Sequence, residues 1–140
     1  MKKAHCTLGL SALLIFAGCI GFLLLPSWSL GQKGYVDISL DQFVEMLKNK
    51  DFILINVHIP YEGEIPGTDL FIPYNAIDQY KEKLPRQKDT KIVLYCRTGR
   101  MSAIAAEKLV QLGYTRIFEF HGGMREWERS GRQLLFFDRK

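Results

Sequence analysis

The chain has 140 residues, enough for one domain with a substantial core. Apolar residues make up 47% and charged residues 24%, which excludes a polar disordered chain. The formal net charge is +4, and Lys2 and Lys3 supply two of those units; the rest is small and scattered, so nucleic-acid binding is not expected.

Residues 1–32 stand apart from the rest. Met1-Lys2-Lys3 is a short basic start, and the twenty residues from Cys6 to Leu25 carry no charge. As a helix that run would span ~30 Å, the thickness of a bilayer core. Pro26 ends it, and Trp28 suits the interface. Lysines ahead of the span, with none until Lys33, favour a cytoplasmic N-terminus and an extracytoplasmic domain, periplasmic or at the cell surface. Three readings compete. An uncleaved signal anchor through residues 6–25 fits the length best. A signal peptide cleaved near Ser27-Trp28-Ser29 or Gly31 would give a secreted protein. A lipoprotein signal is suggested by Phe16-Ala17-Gly18-Cys19, although Ile20 to Leu25 would then remain as an apolar stretch after the lipidated cysteine.

The remainder, residues 33–140, reads as one domain of alternating strands and helices. Tyr35 to Ile38 is the first expected strand. Ser39-Leu40-Asp41-Gln42 fits a capping box that opens a helix to about Lys50, with Leu40, Phe43, Val44 and Leu47 on one face. Phe52 to Val57 is a continuous apolar run, the pattern of a strand covered on both sides. His58 to Gly67 is loop, punctuated by Pro60, Gly63, Pro66 and Gly67. Asp69 to Ile72 reads as a short strand, Asn75 to Leu84 as a helix stopped by Pro85, and Ile92 to Tyr95 as a buried strand. A helix follows over Ser102 to Leu112, with Ser102 as its cap and Gly113 as its end. Arg116 to Phe120 is the last strand; Gly122-Gly123 permits a sharp turn, and a helix runs from Met124 to Arg129. Trp127 and His121 read as packing or loop residues. The apolar tail Leu134-Leu135-Phe136-Phe137 could form a sheet edge, touch a membrane or meet a partner.

Chemistry concentrates at Cys96. It follows a buried strand and faces a helix N-terminus, the place where ligands bind in open α/β sheets. Unpaired backbone N–H groups and the helix dipole attract anions there, and Arg97 and Arg100 add full charges. Such surroundings favour the nucleophilic thiolate, whereas a lone cysteine in apolar surroundings merely packs. Cys6 and Cys19 lie in the leader, so Cys96 has no disulfide partner within the domain. His5, His58 and His121 do not fall at metal-ligand spacing, so no metal or other cofactor is expected. His58 follows a strand end, as Cys96 does, and is a possible proton-transfer or substrate group; the plainer alternative is a loop histidine bonded to a carbonyl.

Cys96-Arg97-Thr98-Gly99-Arg100-Met101-Ser102 resembles the active-site loop of rhodanese-like sulfurtransferases. Leu112-Gly113-Tyr114 and His121-Gly122-Gly123-Met124-Arg125-Glu126-Trp127 resemble the end of the same domain. The resemblance implies an α/β fold, a parallel sheet of about five strands with helices on both faces. It implies that Cys96 takes sulfane sulfur as a persulfide from an anionic donor such as thiosulfate and passes it to cyanide or a thiol. Arg97, Thr98, Gly99, Arg100, Met101 and Ser102 would form the substrate-binding loop. The family often has Arg where Met101 stands, a change that bears on donor affinity. Asn56-Val57-His58 replaces the usual Asp-Val-Arg, and Gly63-Glu64-Ile65-Pro66-Gly67 replaces Gly-His-Ile-Pro-Gly; both departures bear on substrate preference more than on fold. Cysteine phosphatases place an Arg six positions after the cysteine, where this chain has Ser102, so phosphatase and arsenate-reductase chemistry are disfavoured. The non-enzymatic alternative is a rhodanese-like binding or persulfide-carrier module at the membrane.

Overall fold

The computed structural model describes residues 33–138. The apolar stretch 6–25 and its three leader readings lie outside the described residues. Among the described residues no helix is long and apolar enough to cross a membrane.

Five strands form one parallel sheet: β1 (Val36–Ile38), β2 (Ile53–Asn56), β3 (Leu70–Phe71), β4 (Ile92–Tyr95) and β5 (Ile117–Phe120), in the spatial order β1-β5-β4-β2-β3. Parallel strands need crossovers, and these place α1 (Leu40–Lys48) and α3 (Gly123–Arg129) on one face, with α2 (Arg100–Gln111) and a 3-10 segment (Ile77–Lys83) on the other. The first cluster packs Phe43, Met124 and Trp127 against Leu54, Val93, Tyr95 and Phe120, with Phe43 stacked on Phe120 at 4.7 Å. The second packs Ile77, Leu84, Ala105, Ala106 and Leu109 against Ile55, Ile92, Leu94 and Ile117.

Strand periodicity places the site. All four residues of β4 are buried, Ile92 and Leu94 towards α2 and Val93 and Tyr95 towards α1 and α3. Cys96 continues that alternation and lies in the cluster on the α2 face. The same rule puts Ile117 and Glu119 of β5 on the α2 side.

The expected capping box is present: Ser39 Oγ accepts from Gln42 N at 3.3 Å, and Gln42 Oε1 accepts from Ser39 N at 2.9 Å. Two expectations are corrected. The segment expected as a helix over 75–84 is a 3-10 helix, kinked at Tyr80 and without a side-chain cap. Few of its side chains are anchored: Ile77 is the buried residue, which suits short 3-10 turns more than a regular amphipathic helix. Helix α2 starts two residues earlier than expected, with Gly99 rather than Ser102 at the cap. The tail resolves as an edge contact: Leu134 packs in the core, and Leu135 pairs antiparallel with Glu64. Phe136 and Phe137 stay exposed.

Candidate active site

The cysteine is delivered by β4 and enclosed by the turn into α2. Its Sγ accepts from Gly99 N at 3.1 Å and lies 3.3 Å from Ser102 Oγ. Only 1% of Cys96 is exposed, so the sulfur forms the floor of the loop. Gly99 is in the left-handed region, φ 91°, and a Cβ there would come within 2.5 Å of His121 O. The far side of the loop is held by α3: Met124 N donates to Cys96 O at 2.9 Å and Arg125 N to Arg97 O at 3.1 Å. This approach needs Gly123, φ 57°, where a Cβ would meet Cys96 O at 2.3 Å. The Gly122-Gly123 turn is thus part of the cysteine loop's support.

A thiol at the C-terminal end of a central parallel strand, met by the Gly99 N–H and the Ser102 hydroxyl at a helix start, is equipped to hold anionic sulfur. The Rhodanese-like domain family profile matches residues 39–130. The chain belongs to the rhodanese-like family. A sulfurtransferase of Allochromatium vinosum is 34% identical over 89 residues, covering 61% of this chain and 80% of that one. The thiosulfate sulfurtransferase GlpE of Pseudoalteromonas translucida is 31% identical over 96 residues, covering 66% and 89%. The crystal structure of a rhodanese-related protein from Thermoplasma volcanium superposes with a TM-score of 0.61 at 28% identity, covering 72% of this chain and 98% of that one. These relatives support rhodanese-type sulfur transfer in general.

Within this rhodanese-like domain the loop residues differ in what surrounds them. Arg97 is half-buried and engaged: its Nη1 lies 3.0 Å from Glu128 Oε2 and its Nε 3.4 Å from Glu62 Oε2. Arg100 is exposed and makes no ion pair among the described residues, so of the two loop arginines it is the one whose charge is open to an arriving anion. Thr98 is exposed. Met101 packs against the α2-side core.

His58 is buried beside Glu62, with Nε2 3.4 Å from Glu62 Oε2. Neither ring nitrogen has a hydrogen-bond partner among the described residues, so the carbonyl-bonded alternative does not describe it. Burial pushes its pKa down, opposed by Glu62. His58 therefore belongs to the Glu62–Arg97–Glu128 cluster. Asn56 is also buried and shapes this loop, donating from Nδ2 to Gly63 O and accepting at Oδ1 from His58 N, both at 3.0 Å.

Sequence reasoning missed Glu119. It is fully buried in β5, and its Oε1 lies 2.5 Å from Ser102 Oγ. Its Oε2 has no hydrogen-bond partner among the described residues; the nearest charge partner is His121 Nδ1 at 3.7 Å. Burial raises the carboxyl's pKa, opposed by the Ser102 hydrogen bond and by His121. The available signal was a lone carboxylate inside the apolar run Ile117-Phe118-Glu119-Phe120. His121, expected to be unremarkable, adjoins both Gly99 and Glu119.

Proposed function

We propose that this protein is a thiosulfate sulfurtransferase that carries sulfane sulfur on Cys96. The observation that carries the reading is the Cys96 sulfur held 3.1 Å from Gly99 N at the start of α2, the helix whose first residue is the exposed Arg100. The Cys96 thiolate attacks the outer sulfur of thiosulfate. The donor S–S bond breaks, sulfite leaves with its electron pair, and a persulfide anion remains on Cys96. Gly99 N and the neighbouring loop amides offer donors to that anion. Cyanide or a thiolate then attacks the outer sulfur, and the electron pair returns to Cys96. Arg100 attracts the donor, and Arg97, restrained by Glu62 and Glu128, orders the loop wall.

The relatives' names support the donor assignment: the GlpE protein is named for thiosulfate. The placement at a membrane rests on the sequence, namely the uncharged stretch 6–25 behind Lys2 and Lys3, which would anchor the domain on the extracytoplasmic side. Fractionation of cells expressing the full-length protein, with protease added from outside, tests that placement; a protein in the soluble cytoplasmic fraction refutes it.

The catalytic reading is tested by mass spectrometry of the full-length protein after thiosulfate treatment. The expected result is a gain of one sulfur atom on the Cys96 peptide, removed by cyanide and absent in Cys96→Ser. No gain with thiosulfate would overturn the assignment and favour a binding module instead.

A further inference from the structure

Ser102 Oγ stands between two groups that both ionise. It lies 3.3 Å from Cys96 Sγ and 2.5 Å from Glu119 Oε1, and also 3.1 Å from Gly99 O. A serine hydroxyl has one proton to donate. If Glu119 is ionised, that proton points to the carboxylate, and the lone pairs of Oγ face the thiol S–H. If Glu119 is protonated, its O–H donates to Oγ, and the hydroxyl proton is free to donate to a sulfur anion. The two arrangements differ by a concerted proton shift along one line of atoms.

We propose that Glu119 is a positioning residue for Cys96, sharing one proton with the thiol through the Ser102 hydroxyl. This rests on Cys96 being the nucleophile of the reaction above. In the forward shift the S–H bond breaks and its proton goes to Ser102 Oγ. The original Ser102 proton moves to Glu119 Oε1, and the electron pair stays on sulfur. Thiol and carboxylate become thiolate and carboxylic acid, with no outside acid or base and no change in net charge.

The surroundings suit a shared proton. Glu119 is fully buried, and its second oxygen is unpartnered among the described residues, so neither state is locked by other hydrogen bonds. From the turn just after β5, His121 faces it; from β1, Asp37 lies opposite in register, paired with Lys33 at 2.8 Å; from β4, the apolar Leu94 is its neighbour; from α2, Ser102 is the contact. Two full negative charges on Sγ and Glu119 would lie close together in a buried site, which opposes loss of both protons. Over the intervening pH range the thiolate fraction is set by the internal balance between sulfur and carboxyl rather than by the solution. In the shifted state the thiolate meets an anionic donor without a second negative charge beside it.

The test is the rate of Cys96 alkylation by iodoacetamide as a function of pH, read on the Cys96 peptide of the full-length protein without any sulfur donor. Failure of sulfur transfer therefore cannot be mistaken for failure of this coupling. The wild type is expected to rise in two steps with a plateau between them. Glu119→Gln removes the second ionising group and donates to Ser102 Oγ. It should give one step at lower pH, with alkylation below the midpoint faster by roughly tenfold, the change that one pH unit produces. In a Ser102→Ala background the Glu119→Gln change should have a clearly smaller effect on the profile, that of charge repulsion alone. An unaltered profile in Glu119→Gln overturns the proposal. So does an equal shift with and without Ser102, which would mean a field effect that bypasses the hydroxyl. A measurement on the wild type alone guards against misfolding of the variants: the carboxyl carbon of Glu119 in 13C-labelled protein should titrate in the same steps as alkylation, and titration without any shared step refutes the coupling.

Discussion

Replacing Gly123 by Ala isolates how the cysteine loop is held. A Cβ at this position would lie 2.3 Å from Cys96 O, 2.8 Å from Arg97 C and 2.9 Å from Arg97 O, all backbone atoms that cannot rotate away. The helix must back off, and the hydrogen bonds from Met124 N to Cys96 O and from Arg125 N to Arg97 O stretch or break. Two such bonds are worth about 1–3 kcal/mol together. The left-handed backbone at φ 57° adds about 1–2 kcal/mol of strain for a residue with a Cβ. The expected loss is therefore about 2–5 kcal/mol. Gly113→Ala is the internal control: φ is 88°, but a Cβ there meets nothing within 4 Å, so only the strain of about 1–2 kcal/mol applies. In urea, with a slope of about 1–3 kcal/mol per M, a 3 kcal/mol loss lowers the unfolding midpoint by about 1–3 M. Gly123→Ala should also slow persulfide formation on Cys96 by at least about tenfold, since the Gly99 amide is displaced from the sulfur; Gly113→Ala should leave that rate nearly unchanged. If the two variants lose the same stability to within about 0.5 kcal/mol, the contact between α3 and the loop is not what supports the site.

Three further expectations follow from single residues. Arg100→Ala should raise the KM for thiosulfate severalfold with little change in kcat, and more than Arg97→Ala does, because Arg97 is already engaged by Glu62 and Glu128; steady-state kinetics with cyanide as acceptor decide this, and an equal effect refutes the distinction. Buried His58 resists protonation in the folded state, so below its ordinary pKa of about 6.5 the unfolded chain binds the extra proton and stability falls with pH. Urea midpoints from about pH 7.5 to 5.5 should drop less in His58→Gln than in the wild type, and identical slopes would contradict the assignment. Tyr95→Phe should cost about 1–3 kcal/mol in urea unfolding, because Ile65 N, which donates to the Tyr95 hydroxyl at 3.0 Å, loses a buried partner; a neutral effect would mean that water replaces it.

What was legible in the sequence was local. Ser39 and Gln42 are three residues apart, so their reciprocal cap could be read directly, and the run Ile92 to Tyr95 announced a strand buried on both faces. The position of Cys96 at its end then followed from chain order. What escaped was set by residues distant in sequence. Ser102 has the right chemistry for a cap, but Gly99 begins the helix, and the Ser102 hydroxyl is turned towards a carboxylate seventeen positions on. Glu119 offered only its oddness within an apolar strand. Arg97 and Arg100 looked alike as loop cations until Glu62 and Glu128, on separate segments, engaged one and left the other open.

The pairing of Leu135 with Glu64 has a consequence for the order in which the protein can mature. Residue 64 lies in the loop that Asn56 and His58 shape, and residue 135 comes after every strand and helix of the described domain. A ribosome makes these two positions far apart in time. The sheet can assemble once β5 has emerged, and Asn56 can already tie His58 N and Gly63 O, but the two 2.8 Å backbone hydrogen bonds at Glu64 wait until residue 135 is free to reach it. The wall of the sulfur site on that side is therefore among the last parts to close during synthesis.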